Sequence, residues 1–421
     1  MDVTVSPGRL PGRVVVPGSK SHTIRALVIA ALARGQSHIL QPLESADTES
    51  CVRVLRALGI KIDEERERAA LAALHVRGGG GTFSHPDGPL DCANSGTTFF
   101  VMLSVAALAG FPVTLTGDDQ LQRRSAGPLL AALEALGATV ERTNGDCAPV
   151  TVIGPLRGGA ASIACPTSQY LSSLLLATPM ASGTSTIAVP LLNERPYVHM
   201  TLGWLDAQSI TYEREALSRF RIPGGQAFHA FTRSVPADFS AATFFLAAAA
   251  VTGSELLIQS LDMTDSQGDK EVVHILERLG CSVQTEADGV RIAGGRLAGG
   301  EIDLNAIPDA LPALAVVGTA CSEPLRLVNV PQAREKETDR IAVMAEELRK
   351  LGARVDELAD GLVVHPSELA GGTVESHGDH RIAMAASILA LSANSPVKIN
   401  NTACIATSYP KFLSHLQSLR S

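Results

Sequence analysis

Six segments that read as helices apolar on every side recur along this chain, and no other feature constrains the fold as much. They are Ile24–Ala33, Thr97–Ala109, Leu171–Ala181, Ala241–Val251, Leu311–Ala320 and Ile382–Leu391. Their starts are about seventy residues apart, a regular internal repeat. A helix without a polar face must be buried all round. A second series alternates with the first: "LRALGIKI", "LEALGATV", "LERLGCSV" and "LRKLGARV", with the Leu-Gly pairs starting at Leu58, Leu136, Leu279 and Leu351. The double gap in the middle predicts a degraded copy, found as "LGWLDAQSI" near Leu205, and "FLSHLQSLRS" near Leu416 supplies a sixth. Each copy reads as an amphipathic surface helix, a glycine cap and a β-branched strand. In the copy from Arg340 to Gly352, Ile341, Met344, Ala345, Leu348 and Leu351 are expected to face the core, and Glu346, Glu347, Arg349 and Lys350 the water. Six such units are too many for one core, so the pattern predicts an α/β fold of two domains with three units each.

The cores must be aliphatic, because 45% of the 421 residues are hydrophobic but only four are Tyr and one Trp. The formal net charge of −8 argues against nucleic acid or an anionic membrane as a partner. Any anionic ligand must therefore meet cations gathered locally. The seven cysteines are odd in number and form no C-x-x-C pair, which fits a reducing, cytoplasmic setting better than a disulfide framework or a structural zinc. The N-terminal "MDVTVSPGRLPG" carries no secretory signature. The uncharged run from Thr97 to Leu115 is long enough to resemble a membrane span. Gly110 and Pro112 interrupt it, so a buried helix followed by a strand is expected.

Polar residues cluster where each apolar helix begins: Lys20-Ser21, Asn94-Ser95-Gly96, Thr167-Ser168-Gln169, Asp238, Asp309 and Asp379-His380-Arg381. Ser, Thr, Asn and Asp there are good N-caps, which accounts for Asp238. Capping does not account for Lys20, Arg25 or Arg381, since a cation opposes the dipole at a helix N-terminus. These residues call for an anion, a phosphate or carboxylate. "AREKETDRIAVM" brings Arg334, Glu335, Lys336, Glu337, Asp339 and Arg340 to the start of a surface helix, and "QLQRRSAGPLL" brings Arg123 and Arg124 to the equivalent place in the second unit. Taken alone, either is a solvated charge run. "GDHRIAM" sets His380 beside Arg381, where it could reach a ligand or hold the arginine. No second His or Cys lies at metal-ligand spacing, the glycines Gly78–Gly81 lack the residues of a phosphate-binding loop, and no nucleophile elbow is present.

Eight stretches in order, "PGSKSHTIRAL", "NSGTT", "TSQYLSSLLL", "ADFSAATFFLAAA", "IPDALPALA", "KETDRIAVMAEELRKLGA", "GDHRIAMA" and "ATSYPKF", cover the chain nearly end to end. Together they resemble the 5-enolpyruvylshikimate-3-phosphate (EPSP) synthase family of enolpyruvyl transferases. The related UDP-N-acetylglucosamine enolpyruvyl transferases carry an Asn after the first Lys and a Cys in the loop that here reads Gly117-Asp118-Asp119-Gln120.

The resemblance implies an inside-out α/β barrel in two domains, each of three βαβαββ units, with buried parallel helices inside mixed sheets and outer helices. It places one domain at residues 1–17 plus 237–421 and the other at 18–236, with the active site in the cleft between them. It implies transfer of the enolpyruvyl group of phosphoenolpyruvate to the 5-hydroxyl of shikimate 3-phosphate, with release of phosphate. It implies no metal or organic cofactor, no nucleic acid or membrane partner, and a cytoplasmic monomer. Two other readings are an enolpyruvyl transferase for another acceptor, such as a UDP-sugar, and a non-catalytic anion-binding homologue. By motif match, Lys20, Ser21, Arg25, Thr167, Ser168, Gln169, Tyr197, Asp309 and Lys336 would hold shikimate 3-phosphate. Lys20, Asn94, Gly96, Arg124, Gln169, Arg340 and Arg381 would hold phosphoenolpyruvate. Asp309 would take the 5-hydroxyl proton, Glu337 and Lys20 would exchange protons at C3, and His380 would assist. Two positions depart from the family pattern: Phe100 stands where it has Arg, and Thr407 where it often has Lys.

Overall fold

The computed structural model describes residues 1–420. The chain divides into two compact units, one continuous, Lys20–Val235, and one discontinuous, Met1–Ser19 with Pro236–Ser421. Among the described residues, twelve α-helices alternate between two environments. Six are buried along nearly their whole length: α1 (Lys20–Leu32), α3 (Gly96–Ala106), α5 (Ser168–Ala177), α7 (Phe239–Thr252), α9 (Leu311–Thr319) and α11 (His380–Ser392). Six have one buried face: α2 (Ala46–Ala57), α4 (Gly127–Ala135), α6 (Arg195–Ala207), α8 (Glu271–Leu279), α10 (Arg340–Lys350) and α12 (Phe412–Ser418). The uncharged run begins as α3 and ends in the strand Pro112–Thr116. Among the described residues no helix is long and apolar enough to cross a membrane.

Among the described residues each unit holds three open sheets, and none of these closes on itself. Three of the six follow one plan. The strand before a buried helix pairs in parallel with the strand after it, and a hairpin following the surface helix adds antiparallel, as in Gly300–Asp303, Leu325–Val328, Gly361–Val364 and Val355–Leu358. The parallel pair needs a crossover, and the buried helix supplies it. In the continuous unit α1 and α5 both pack on α3, and in the discontinuous unit α7, α9 and α11 pack on one another. Each trio anchors its own aliphatic core.

At the two places where the chain passes from one unit to the other, the last strand stays with the unit the chain leaves. Gly12–Val15, which precedes α1, pairs with Glu255–Gln259 of the discontinuous unit. Phe228–His229 and Thr232–Ser234, which precede α7, pair with Ala33–Leu40 of the continuous unit. Val3–Val5 completes the last sheet of the discontinuous unit, antiparallel to Val397–Asn400.

The repeated Leu-Gly has a backbone cause. Gly59, Gly137, Gly280 and Gly352 end their surface helices with φ of 87°, 99°, 115° and 90°, the left-handed conformation that glycine adopts without a Cβ clash. The degraded copy keeps the conformation without the glycine, as Ser209 with φ 57°. One side chain of α10 departs from the sequence expectation: Glu347 is buried rather than facing water. Its carboxylate accepts from Lys350 Nζ and the Glu375 amide and is bonded to His377 Nε2. The helical period was read correctly, and these donors are what allow a carboxylate on the inner edge.

Candidate active site

In the continuous unit the predicted residues assemble around the starts of the three buried helices. Arg25, one turn into α1, is 4% exposed. Its guanidinium donates to Thr201 Oγ1 at 2.9 Å, the Ser21 carbonyl at 3.0 Å, the Tyr197 carbonyl at 3.1 Å and Ser172 Oγ at 3.3 Å. All four acceptors are neutral. Burial pushes Arg25 down to about 10, because a desolvated cation without a counter-charge is disfavoured. Lys20, the first residue of α1, pairs with Asp47 at 2.8 Å, and both side chains are largely buried. Asp47 was missed from sequence, because an acid in the first turn of α2 reads as ordinary dipole compensation.

Thr167 is the N-cap of α5, and its side chain accepts from the Gln169 amide. Gln169 Oε1 is buried and has no hydrogen-bond partner. A Cβ built on Gly96, at the start of α3, would lie 2.7 Å from Arg124 Nη1 and 3.6 Å from Gln169 Oε1. The bare glycine thus keeps space beside an arginine and an amide oxygen. Arg124 donates to Asn94 Oδ1 at 3.2 Å, and Asn94 donates to Asp118 and Gln120. Arg123, its neighbour in sequence, is exposed. Phe100 is 4% exposed, packs edge-on against Tyr170 at 5.0 Å and lies 3.6 Å from the same Cβ position. The ring fills with aromatic contact a place where the family's arginine would need a counter-ion.

In the discontinuous unit the starts of α7, α9 and α11 are tied together through arginines. Arg381 donates to Ser240 Oγ at 2.6 Å and pairs with Asp309 at 3.0 Å. Arg340, 1% exposed, reaches Asp309 at 2.7 Å and Asp379 at 2.8 Å, and pairs with Glu337. Asp379 also accepts from Thr338 and, as the N-cap of α11, from the Arg381 main-chain amide. Asp379 had been read only as part of a cap. Its further role as a counter-ion of Arg340 left no separate mark in the sequence.

Burial alone would favour a neutral Asp309, but Arg381, Lys336 and Arg340 outweigh it and hold the carboxyl well below the usual carboxylate range. Burial disfavours the Arg340 cation, and Asp379, Glu337 and Asp309 more than reverse that, holding it firmly protonated. His380 is fully buried, its Nδ1 3.9 Å from Asp379, so the helix start presents Arg381 to Asp309 and keeps the imidazole inside. Lys336 is half-buried, and Thr407, in the 3-10 turn Thr402–Thr407, is half-exposed.

The described residues contain one group with metal-ligand spacing, Glu346, Glu347 and His377. Lys350 Nζ lies 2.8 Å from Glu346 and 2.7 Å from Glu347. One ammonium thus already bridges both acids.

The sequence model of the family described as EPSP synthase (3-phosphoshikimate 1-carboxyvinyltransferase) matches residues 5–416. A 3-phosphoshikimate 1-carboxyvinyltransferase of Acetivibrio thermocellus is 46% identical over 417 residues, covering 99% of this chain and 97% of its own. One from Halobacterium salinarum is 39% identical, covering 100% and 99%. Among solved structures, an EPSP synthase from Acinetobacter baumannii superposes with a TM-score of 0.83 at 26% identity, over 100% of this chain and 98% of its own. With a family match along nearly its whole length and relatives of this identity, the chain belongs to the EPSP synthase family of enolpyruvyl transferases.

Proposed function

We propose how the residues described above divide the work of the family reaction, in which the enolpyruvyl group of phosphoenolpyruvate passes to the 5-hydroxyl of shikimate 3-phosphate and phosphate is released. A different acceptor, or a binding protein without activity, is not favoured, since the relatives are named for the 3-phosphoshikimate reaction. On this reading Arg25, Ser21, Thr167, Ser168, Gln169, Tyr197 and Lys336 hold shikimate 3-phosphate. Arg124, Arg340, Arg381, Asn94 and the space over Gly96 hold phosphoenolpyruvate, and Lys20 serves both. Asp309 takes the proton of the attacking hydroxyl, Glu337 and Lys20 exchange protons at C3, and His380 supports Arg381 from within the fold.

The observation that carries the reading is the clasp of Asp309 between Arg340 and Arg381, at 2.7 and 3.0 Å. A carboxylate so held is ionised but weakly basic. An incoming phosphate and carboxylate compete for the same guanidinium groups. As the arginines turn to the substrate, Asp309 loses its compensation and its proton affinity rises. Binding of the donor would thereby arm the base. Charge that builds on the departing phosphate then meets cations already in position.

The seven free cysteines support a reducing, cytoplasmic setting. Both residue sets lie on one chain, which supports a working monomer of 44.0 kDa, to be checked by light scattering. The test of function is phosphorus NMR of purified protein with both substrates. One phosphate should appear per shikimate 3-phosphate consumed, together with one new enol ether. Phosphate formed equally well without shikimate 3-phosphate, or only with a UDP-sugar, would contradict the reading.

A further inference from the structure

Glu194 is the N-cap residue of α6, yet its side chain does not cap that helix. Its backbone is turned into the left-handed region, φ 56°, and the residue is 2% exposed. The carboxylate points to the start of α5. There Oε2 accepts from Ser168 Oγ at 2.8 Å, the Ser168 amide at 3.0 Å and Thr167 Oγ1 at 3.1 Å. One carboxylate oxygen thus takes two hydroxyls and a main-chain N–H at the positive end of a buried helix. Those are the donors that a phosphate oxygen would use. An acid is a poor choice for a left-handed position unless its side chain gains contacts that only this turn allows.

We propose that Glu194 is a built-in anion occupying the phosphate seat at the start of α5, and that it sets the affinity for the acceptor's phosphate by competing for the same donors. The proposal rests on the reading of Thr167 and Ser168 as holding that phosphate. When the acceptor binds, its phosphate takes over Ser168 Oγ, the Ser168 amide and Thr167 Oγ1, and the carboxylate turns aside. Arg25, whose partners are all neutral, donates to the Tyr197 carbonyl only three residues from Glu194 and offers the incoming phosphate a counter-charge. An acceptor with a neutral group at this point could not displace the carboxylate. Glu194 therefore selects for a phosphorylated acceptor at a cost in affinity.

The test is calorimetric titration of shikimate 3-phosphate, without phosphoenolpyruvate, into wild type, Glu194→Gln, Glu194→Asp and Ser168→Ala. Glutamine keeps the shape but is a weaker, neutral acceptor, so Kd should fall about fivefold or more, since charge-assisted hydrogen bonds are roughly twice as strong as neutral ones. Aspartate keeps the charge but is one methylene shorter, and should tighten binding as well. It stands in if the glutamine variant melts early. Ser168→Ala should weaken binding in every background. If neither Glu194 variant tightens binding while Ser168→Ala weakens it, Glu194 is only a clamp between α5 and α6, and the proposal is wrong. If Ser168→Ala leaves Kd unchanged, the phosphate seat itself is misplaced, and the proposal falls with it.

Discussion

Lys20 and Asp309 show how one residue can carry both stability and chemistry. Lys20→Met breaks a largely buried ion pair and strands Asp47, so a stability loss of about 3 kcal/mol is expected along with near-complete loss of turnover. Asp47→Asn separates the effects. It breaks the same ion pair but leaves the Lys20 ammonium in place, so a stability loss shared by both variants with turnover lost mainly in Lys20→Met reports the two roles apart. Asp309 is held ionised, which fixes the sign of its pH effect. Its folded-state proton affinity lies below the unfolded value, so its contribution to stability is complete above about pH 5 and declines as the pH falls through about 4 and lower. Asp309→Asn should flatten the melting temperature of wild type against pH between about 5 and 3. An equally steep fall in the variant would mean that other carboxylates dominate. At Gly96 the added methyl of Gly96→Ala meets the end of Arg124 at 2.7 Å, a side chain that can shift. The methyl narrows the space beside Arg124 and Gln169, so the KM for phosphoenolpyruvate should rise several-fold while kcat changes little. An unchanged KM would place the lost space outside the site.

Among the elements, the repeat was legible because physics leaves it few ways to be written. A helix buried on all sides must be apolar throughout, and a surface helix that turns sharply into a strand needs a left-handed residue, hence Leu-Gly. The degraded copy carries its cost at Ser209, φ 57°. Ser209→Gly removes the Cβ clash but adds freedom to the unfolded chain, so a net gain of up to about 1 kcal/mol is expected in denaturant unfolding. A loss would mean that the serine hydroxyl satisfies the turn. The cations at helix starts could also be read from sequence, because they defy the dipole. Their partners could not. Asp47, Asp379 and Glu194 are acids at positions where capping or dipole compensation already explains an acid, so only the three-dimensional contacts distinguish them. Glu347 was misassigned for a related reason: the helical wheel gives direction but not the donors waiting there.

For the whole molecule, the division into two units follows from where the strands beside each crossing find partners, which is within the unit the chain is leaving. Strand partners are long-range facts, and no local pattern in Gly12–Val15 or Thr232–Ser234 names them. The net charge of −8 repels two anionic substrates at long range, while the local cations attract them. Salt screens exposed charges within about 10 Å at 0.1 M, but the buried Arg25 and Arg340 are shielded from it. KM for both substrates should therefore change by less than about threefold between 0.05 and 0.3 M salt. A steep rise would show that exposed charges, and not the buried set, carry the binding.

The central claim is that residues on both units serve one reaction. Its most direct test is phosphate release from phosphoenolpyruvate in the presence of shikimate 3-phosphate, measured for Lys20→Met in the continuous unit and Asp309→Asn in the discontinuous one. Each variant alone should lose about hundredfold or more in kcat, and mixing the two should restore nothing. Either variant turning over within twofold of wild type, or activity returning in the mixture, would contradict the account.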